Sequence, residues 1–188
     1  MIRMRNLAAL ALAGMAALLA GCTDRAPLAE PATVGSGPYL LGAGDRLRIV
    51  VYDQPSLTNI YEVDQSGQVS FPLIGDVTAG DSTADALARR IESRLATSYL
   101  REPDVTVEVA TYRPFFVLGE VGTPGQYPYV PGITAETAIA VAGGFTDRAN
   151  KRIVRISRTI NGKLYESRMS VIESIRPGDT VYVPESLF

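Results

Sequence analysis

The sequence predicts an α+β fold, mostly strands with two helices, and three observations carry that reading. Apolar residues alternate with polar ones, as where Leu47, Ile49 and Val51 fall on one face and Arg46, Arg48 and Val50 on the other. That is the period of a strand with one buried face. Helical spacing occurs in only two stretches, residues 81–100 and 133–142. A Gly-Asp turn also enters an alternating run twice, at Gly44-Asp45 and again at Gly178-Asp179. With 188 residues, the chain has room for one or two small domains.

The chain opens on a basic start, Met1-Ile2-Arg3-Met4-Arg5, and an apolar run over residues 7–17. That run is shorter than the about 20 residues a helix needs to cross ~30 Å of hydrocarbon. It ends in Leu19-Ala20-Gly21-Cys22. Small residues before a cut site let a peptidase grip an extended backbone, and the thiol after it supplies a nucleophile for acylation. The pattern resembles a bacterial lipoprotein signal over residues 1–21, with Leu19, Ala20 and Gly21 recognised by the signal peptidase and Cys22 lipidated as the first mature residue. Thr23 in place of Asp, by resemblance to enteric lipoproteins, implies sorting to the outer membrane. Two acyl chains already suffice for stable anchoring. Residues 22–37 are rich in Pro, Ala, Gly and Ser without an apolar period, the composition of a flexible tether.

After the first Gly-Asp strand, further short strands are expected at residues 60–64, 68–71 and 75–77, with Ser66-Gly67 as a hairpin turn between the first two. Ala84, Leu87, Ala88, Ile91 and Leu95 then recur at helical spacing, while Arg89, Arg90, Glu92 and Arg94 face water. Ser82 with Asp85 three residues on reads as the cap of this helix. Pro103 bars its continuation, and residues 105–109 alternate again.

An apolar strand follows to Leu118, then a Gly/Pro-rich turn, a short aromatic strand around Tyr127, and a helix stopped by Gly143-Gly144. Residues 152–158 form a strand with a basic tint. Asn161-Gly162 signals a type I′ hairpin returning through residues 163–169. The closing Gly-Asp strand is expected to pair with the opening one, or to lie in an adjacent sheet.

Composition excludes several functions. There is no histidine and one cysteine, which removes histidine acid–base chemistry, Cys/His zinc sites and an internal disulfide. Losing Arg3 and Arg5 with the leader leaves 16 of 18 basic residues against 20 acidic, a net of −4 in place of −2. That is not the basic field of a nucleic-acid binder. Gly42-Ala43-Gly44-Asp45 is no phosphate loop, because no Lys-Ser/Thr follows and it leads into a strand, not a helix. Asp53, Glu62, Asp64, Asp76, Asp81 and Glu120 show no spacing that proposes a pair of catalytic carboxylates. No Gly-x-Ser-x-Gly accompanies the loop serines at 36, 56 and 66. The sequence therefore predicts a protein that is not an enzyme, with no cofactor and no metal.

A family resemblance rests on residues 39–52 (YLLGAGDRLRIVVY), residues 64–71 leading into Pro72-Leu73-Ile74-Gly75, the helix that follows, and residues 99–107 (YLREPDVTV). It continues through Tyr112-Arg113-Pro114-Phe115 and Gly119-Glu120-Val121 to Ala142-Gly143-Gly144-Phe145. These segments resemble the outer-membrane polysaccharide exporters of the Wza type. The resemblance implies a polysaccharide-export domain with one helix over residues 38–112 and a β-grasp-like SLBB domain over residues 113–188. It further implies a periplasm-facing outer-membrane lipoprotein for capsular polysaccharide or exopolysaccharide. Copies would form a homo-oligomeric ring, abutted by an inner-membrane polysaccharide copolymerase, through which polymer threads. Larger members continue into a membrane-crossing helix. Ending at Leu187-Phe188, this sequence is expected to cap a separate outer-membrane channel or to open a lipid-tethered passage. A lipid-anchored glycan-binding module that conducts nothing is the alternative.

Candidate polymer contacts are Arg152, Arg155 and Arg158, which suit acidic sugars, and Tyr127 and Tyr129, whose rings, with those of Phe115 and Phe116, suit a pyranose C–H face. The plainer readings are preferred for both sets. The arginines would guard a solvated edge strand against self-pairing, and the tyrosines would pack within the module or against a neighbouring copy.

Overall fold

β1 (Arg46–Val51) is the strand around which the first core is laid. The computed structural model describes residues 37–160 and 162–186, so the leader, Cys22, most of the tether and Asn161 of the expected hairpin turn lie outside the described residues. Leu47, Ile49 and Val51 are buried as their alternation predicts. β1 pairs antiparallel with β2 (Asn59–Glu62) on one side and β5 (Val105–Thr111) on the other. β3 (Gln68–Phe71) and β4 (Gly75–Thr78) form a separate two-stranded hairpin. Helix α1 (Ala84–Ser98) buries Leu87, Ala88, Ile91 and Leu95 against these strands.

Two local expectations are corrected here. The Asp64–Gly67 turn does not join β2 and β3 as a hairpin; it passes the chain from one sheet to another. The Asp64 carboxylate organises that turn by accepting from the Ser66 hydroxyl at 2.7 Å and the Ser66 and Gln68 N–H groups at 2.8 Å. Hydrogen bonding to the charged form, led by the Ser66 hydroxyl, holds its carboxyl below the ordinary value. The helix cap is Thr83, whose hydroxyl accepts from Ala86 N–H at 3.2 Å. Ser82 is instead buried one residue earlier, donating to the Ala79 carbonyl.

The second core lies under a five-stranded sheet built of β6 (Phe115–Gly119), β7 (Gly125–Tyr127), β8 (Ile153–Ile160), β9 (Lys163–Ser170) and β10 (Thr180–Val183). Their order across the sheet is β7-β6-β10-β8-β9. Helix α2 (Ala135–Val141), capped by Thr134, packs Ala135, Ala138 and Ile139 against Phe115, Val117, Val154, Ile156, Val181 and Val183. β6 and β10 run parallel, and every other pair in this sheet is antiparallel. The two Gly-Asp strands thus occupy different sheets, β1 at the centre of one and β10 at the centre of the other. The edge reading of the basic strand is corrected as well, since β8 lies between β10 and β9.

Candidate functional site

The five predicted contact residues divide sharply. Arg158 shares the parity of Val154 and Ile156 along β8 and follows them inward. It is 7% exposed, and its guanidinium grips Asp179 with Nε to Oδ1 at 2.7 Å and Nη2 to Oδ2 at 2.6 Å. Asp179, fully buried, also accepts the Arg176 N–H at 2.7 Å. A fork paired so completely is a structural strut, so Arg158 is neither solvated nor free to touch polymer. Tyr127 and Tyr129 are half-buried and held within the module. The Tyr127 ring stacks on Phe115 with centroids 5.9 Å apart, and its hydroxyl donates to the Thr123 carbonyl. Tyr129 meets Tyr112 edge-on at 5.5 Å, and burial pushes its phenol up.

Arg152 and Arg155 remain exposed, on different ground. Arg152 precedes β8 and lines a shallow groove with Ile153, Arg168, Met169, Ser170 and Glu173. Arg155 lies on the outer sheet face, its guanidinium carbon 4.4 Å from the centre of the Tyr182 ring. On the same outer face stand Phe116, Leu118 and Tyr182, exposed by 39%, 43% and 36%, and Arg168 of β9, paired directly opposite Arg155. Arg168, Leu118 and Tyr182 escaped the sequence reading. Parity alone marks each as outward-facing, but only the pairing of β6, β10, β8 and β9 brings them together.

A second constellation lies where the two halves join. Asp45 is fully buried and accepts from four donor groups. The Tyr39 hydroxyl donates to both oxygens at 2.8 and 2.6 Å, Gly42 N–H at 2.8 Å, Arg113 N–H at 2.9 Å and the Arg113 guanidinium at 3.2 Å. Burial first, then the bond to Asp45, drives the Tyr39 phenol far above its ordinary value. Arg113 also reaches across to the Pro177 carbonyl at 3.2 Å. It is therefore wedged between the two Gly-Asp turns. A Cβ at Gly42 would come within 2.1 Å of its Nη1, and one at Gly178, where φ is +82°, within 2.7 Å of its Nε. The sequence echo at residues 44–45 and 178–179 marks the two turns that meet this arginine.

The carboxylates of Asp45 and Asp179 are saturated with donors. Among the described residues, no three His, Cys, Asp or Glu side chains stand close enough to hold a metal. No helix among them is long and apolar enough to cross a membrane.

Comparison with known proteins follows the same division. Residues 34–110 match the polysaccharide biosynthesis/export protein family, and residues 114–171 match the SLBB domain. The exopolysaccharide production protein ExoF of Rhizobium meliloti is 32% identical over 172 residues, covering 79% of this chain and 41% of that protein. The EPS I polysaccharide export outer membrane protein EpsA of Ralstonia nicotianae is 30% identical over 199 residues, covering 86% of this chain and 50% of that protein. EpsA of Ralstonia solanacearum is 33% identical over 150 residues, covering 64% and 39%. The chain spans half or less of the length of these curated relatives. With an export domain built on β1 and α1 followed by an SLBB domain built on the five-stranded sheet, the chain belongs to the family of polysaccharide-export proteins that join these two domains.

Proposed function

We propose that this protein is a periplasm-facing, lipid-anchored component of the outer membrane that exports exopolysaccharide or capsular polysaccharide by passage, not chemistry. The observation that carries the reading is the ordered pair of matched domains, export then SLBB. The name of EpsA, an outer-membrane export protein, points the same way. Cys22 is the proposed site of acylation, and residues 38–112 and 113–188 are the proposed working domains. Copies would join laterally into a closed ring, since a repeated head-to-tail contact closes when its rotation divides a full turn. An inner-membrane copolymerase would feed the ring, which opens directly or meets a separate outer-membrane channel.

The test is a clean deletion followed by assays of surface and periplasmic polysaccharide. Loss of surface polymer, with periplasmic retention, is expected, and unchanged release in the absence of a second copy overturns the reading. The alternative, a tethered glycan-binding module, draws support from the exposed Phe116, Leu118 and Arg155 face. A ring in detergent separates the conduit from a persistent monomer that binds glycan.

A further inference from the structure

Strand pairing sets the outer face of the five-stranded sheet into two rows that run across the strands. Leu118 pairs with Tyr182, Tyr182 with Arg155, and Arg155 with Arg168. In the neighbouring row Gln126 pairs with Phe116, Phe116 with Thr180, Thr180 with Ser157, and Ser157 with Glu166. Residues directly opposite share a face, and strands lie about 4.8 Å apart. The Leu118–Arg168 row is therefore about 14 Å long, the reach of a short oligosaccharide laid across the strands.

Charge says what suits this strip. Arg155 and Arg168 stand directly opposite each other, a like-charge arrangement that destabilises a sheet. Among the described residues neither is ion-paired, whereas Arg113, Arg148 and Arg158 all are. The nearby acids are engaged otherwise: Glu166 accepts from the Ser157 hydroxyl at 3.3 Å, and Glu173 from the Ser170 N–H at 2.9 Å. Arg152 adds a third cation in the adjoining groove. The chain thus holds neighbouring guanidiniums outward although its net charge is −2. The Tyr182 ring positions the Arg155 guanidinium through a cation–π contact, leaving the fork's N–H edge for a planar anion. Phe116 and Leu118 offer apolar surface at the other end of the strip.

Resting on the export reading, we infer that this face binds an acidic oligosaccharide built of pyranoses that bear carboxylates, with one carboxylate between Arg155 and Arg168 and the C–H face of another sugar of the same chain on Phe116. This deepens that reading by naming the class of polymer.

The test uses the full-length protein in detergent, with an oligogalacturonate as probe and a maltooligosaccharide of equal length as neutral control. The oligogalacturonate should bind more tightly than the control and weaken with salt. Arg155→Ala or Arg168→Ala should reduce its affinity about tenfold, the loss of one charge-assisted pair. Phe116→Ala should weaken it too, while Arg148→Ala leaves it unchanged. Unchanged thermal midpoints establish that the variants fold. Equal binding of the neutral sugar, or no effect of either arginine, overturns the inference. So does a change of oligomeric state in the arginine variants with uronate binding intact, which would make the face a contact between copies. These outcomes are independent of the deletion phenotype. Normal polymer release without the protein defeats the export reading alone, and absent uronate binding with impaired release defeats only the acidic-ligand assignment.

Discussion

Arg113 binds Asp45 twice, with its backbone N–H on Oδ1 at 2.9 Å and its guanidinium on Oδ2 at 3.2 Å. One residue thus fixes both the path of the chain leaving the first sheet and the charge balance of a buried carboxylate. Removing the carboxylate strands four donor groups, whereas removing the guanidinium leaves the carboxylate with Tyr39, Gly42 and the Arg113 N–H. Asp45→Ala is expected to cost about 3–5 kcal/mol and Arg113→Ala about 1–3 kcal/mol, read from urea unfolding. A smaller loss in the aspartate variant would contradict the role assigned to this pair.

Tyr39 makes the same cluster sensitive to alkali. Its phenol is raised above the ordinary value of 10.0 in the folded protein, so the folded state holds that proton more tightly than the unfolded chain does. The stability this contributes is complete below about pH 10 and is lost as pH rises above it. Tyr39→Phe should lower stability at neutral pH by about 1.5–3 kcal/mol and flatten the alkaline decline of the thermal midpoint. Tyr61 and Tyr129, also raised by burial, keep a residual slope. An identical alkaline slope in the variant would refute the assignment.

Arg158 and Asp179 form the corresponding pair of the second sheet. Arg158→Met leaves a carboxylate with no exposure and without its cation, for an expected loss of about 3–5 kcal/mol. Adding Asp179→Asn removes the orphaned charge and should recover part of that loss. A double-mutant cycle with zero coupling would show that the two act independently.

The elements were legible where they depend on local period, and illegible where they depend on distant partners. Leu47, Ile49 and Val51 announce β1, and Leu87, Ile91 and Leu95 announce α1, because burial of one face writes itself into spacing. Arg158 was misread because charge suggested solvent, although its parity with Val154 and Ile156 already pointed inward. Its partner, Asp179, lies in the second Gly-Asp turn, and nothing local links the two. The Ser82 cap missed by one residue because adjacent Ser and Thr offer the same hydroxyl. Of the candidate site, Arg155 and Phe116 were named from the sequence, although the preferred readings there were an edge-strand guard and internal packing, while Arg168, Leu118 and Tyr182 needed the strand order.

The β3–β4 hairpin turns through Pro72-Leu73-Ile74 with Leu73 at φ +71° and 54% exposed. A leucine there meets backbone strain without gaining burial. Leu73→Asn or Leu73→Gly should therefore stabilise the protein by up to about 1 kcal/mol. Calorimetry decides it, and a lowered midpoint for both variants would mean that the side chain has a contact worth more than the strain.

For the proposed anchor, Cys22→Ala should abolish incorporation of labelled palmitate and shift the protein from the membrane to the soluble periplasmic fraction. Unchanged labelling would defeat the lipidation assignment.

β10, the last strand described, enters the middle of its sheet between β6 and β8. A polypeptide emerging amino end first, from a ribosome or a translocation pore, can assemble its first core once β5 is out. Its second core must wait, with β6 and β8 each missing a neighbour, until Val183 has emerged. A chain cut a few residues before Thr180 would lose the centre of a sheet, not a fringe, and so would present two sticky strand borders to quality-control proteases.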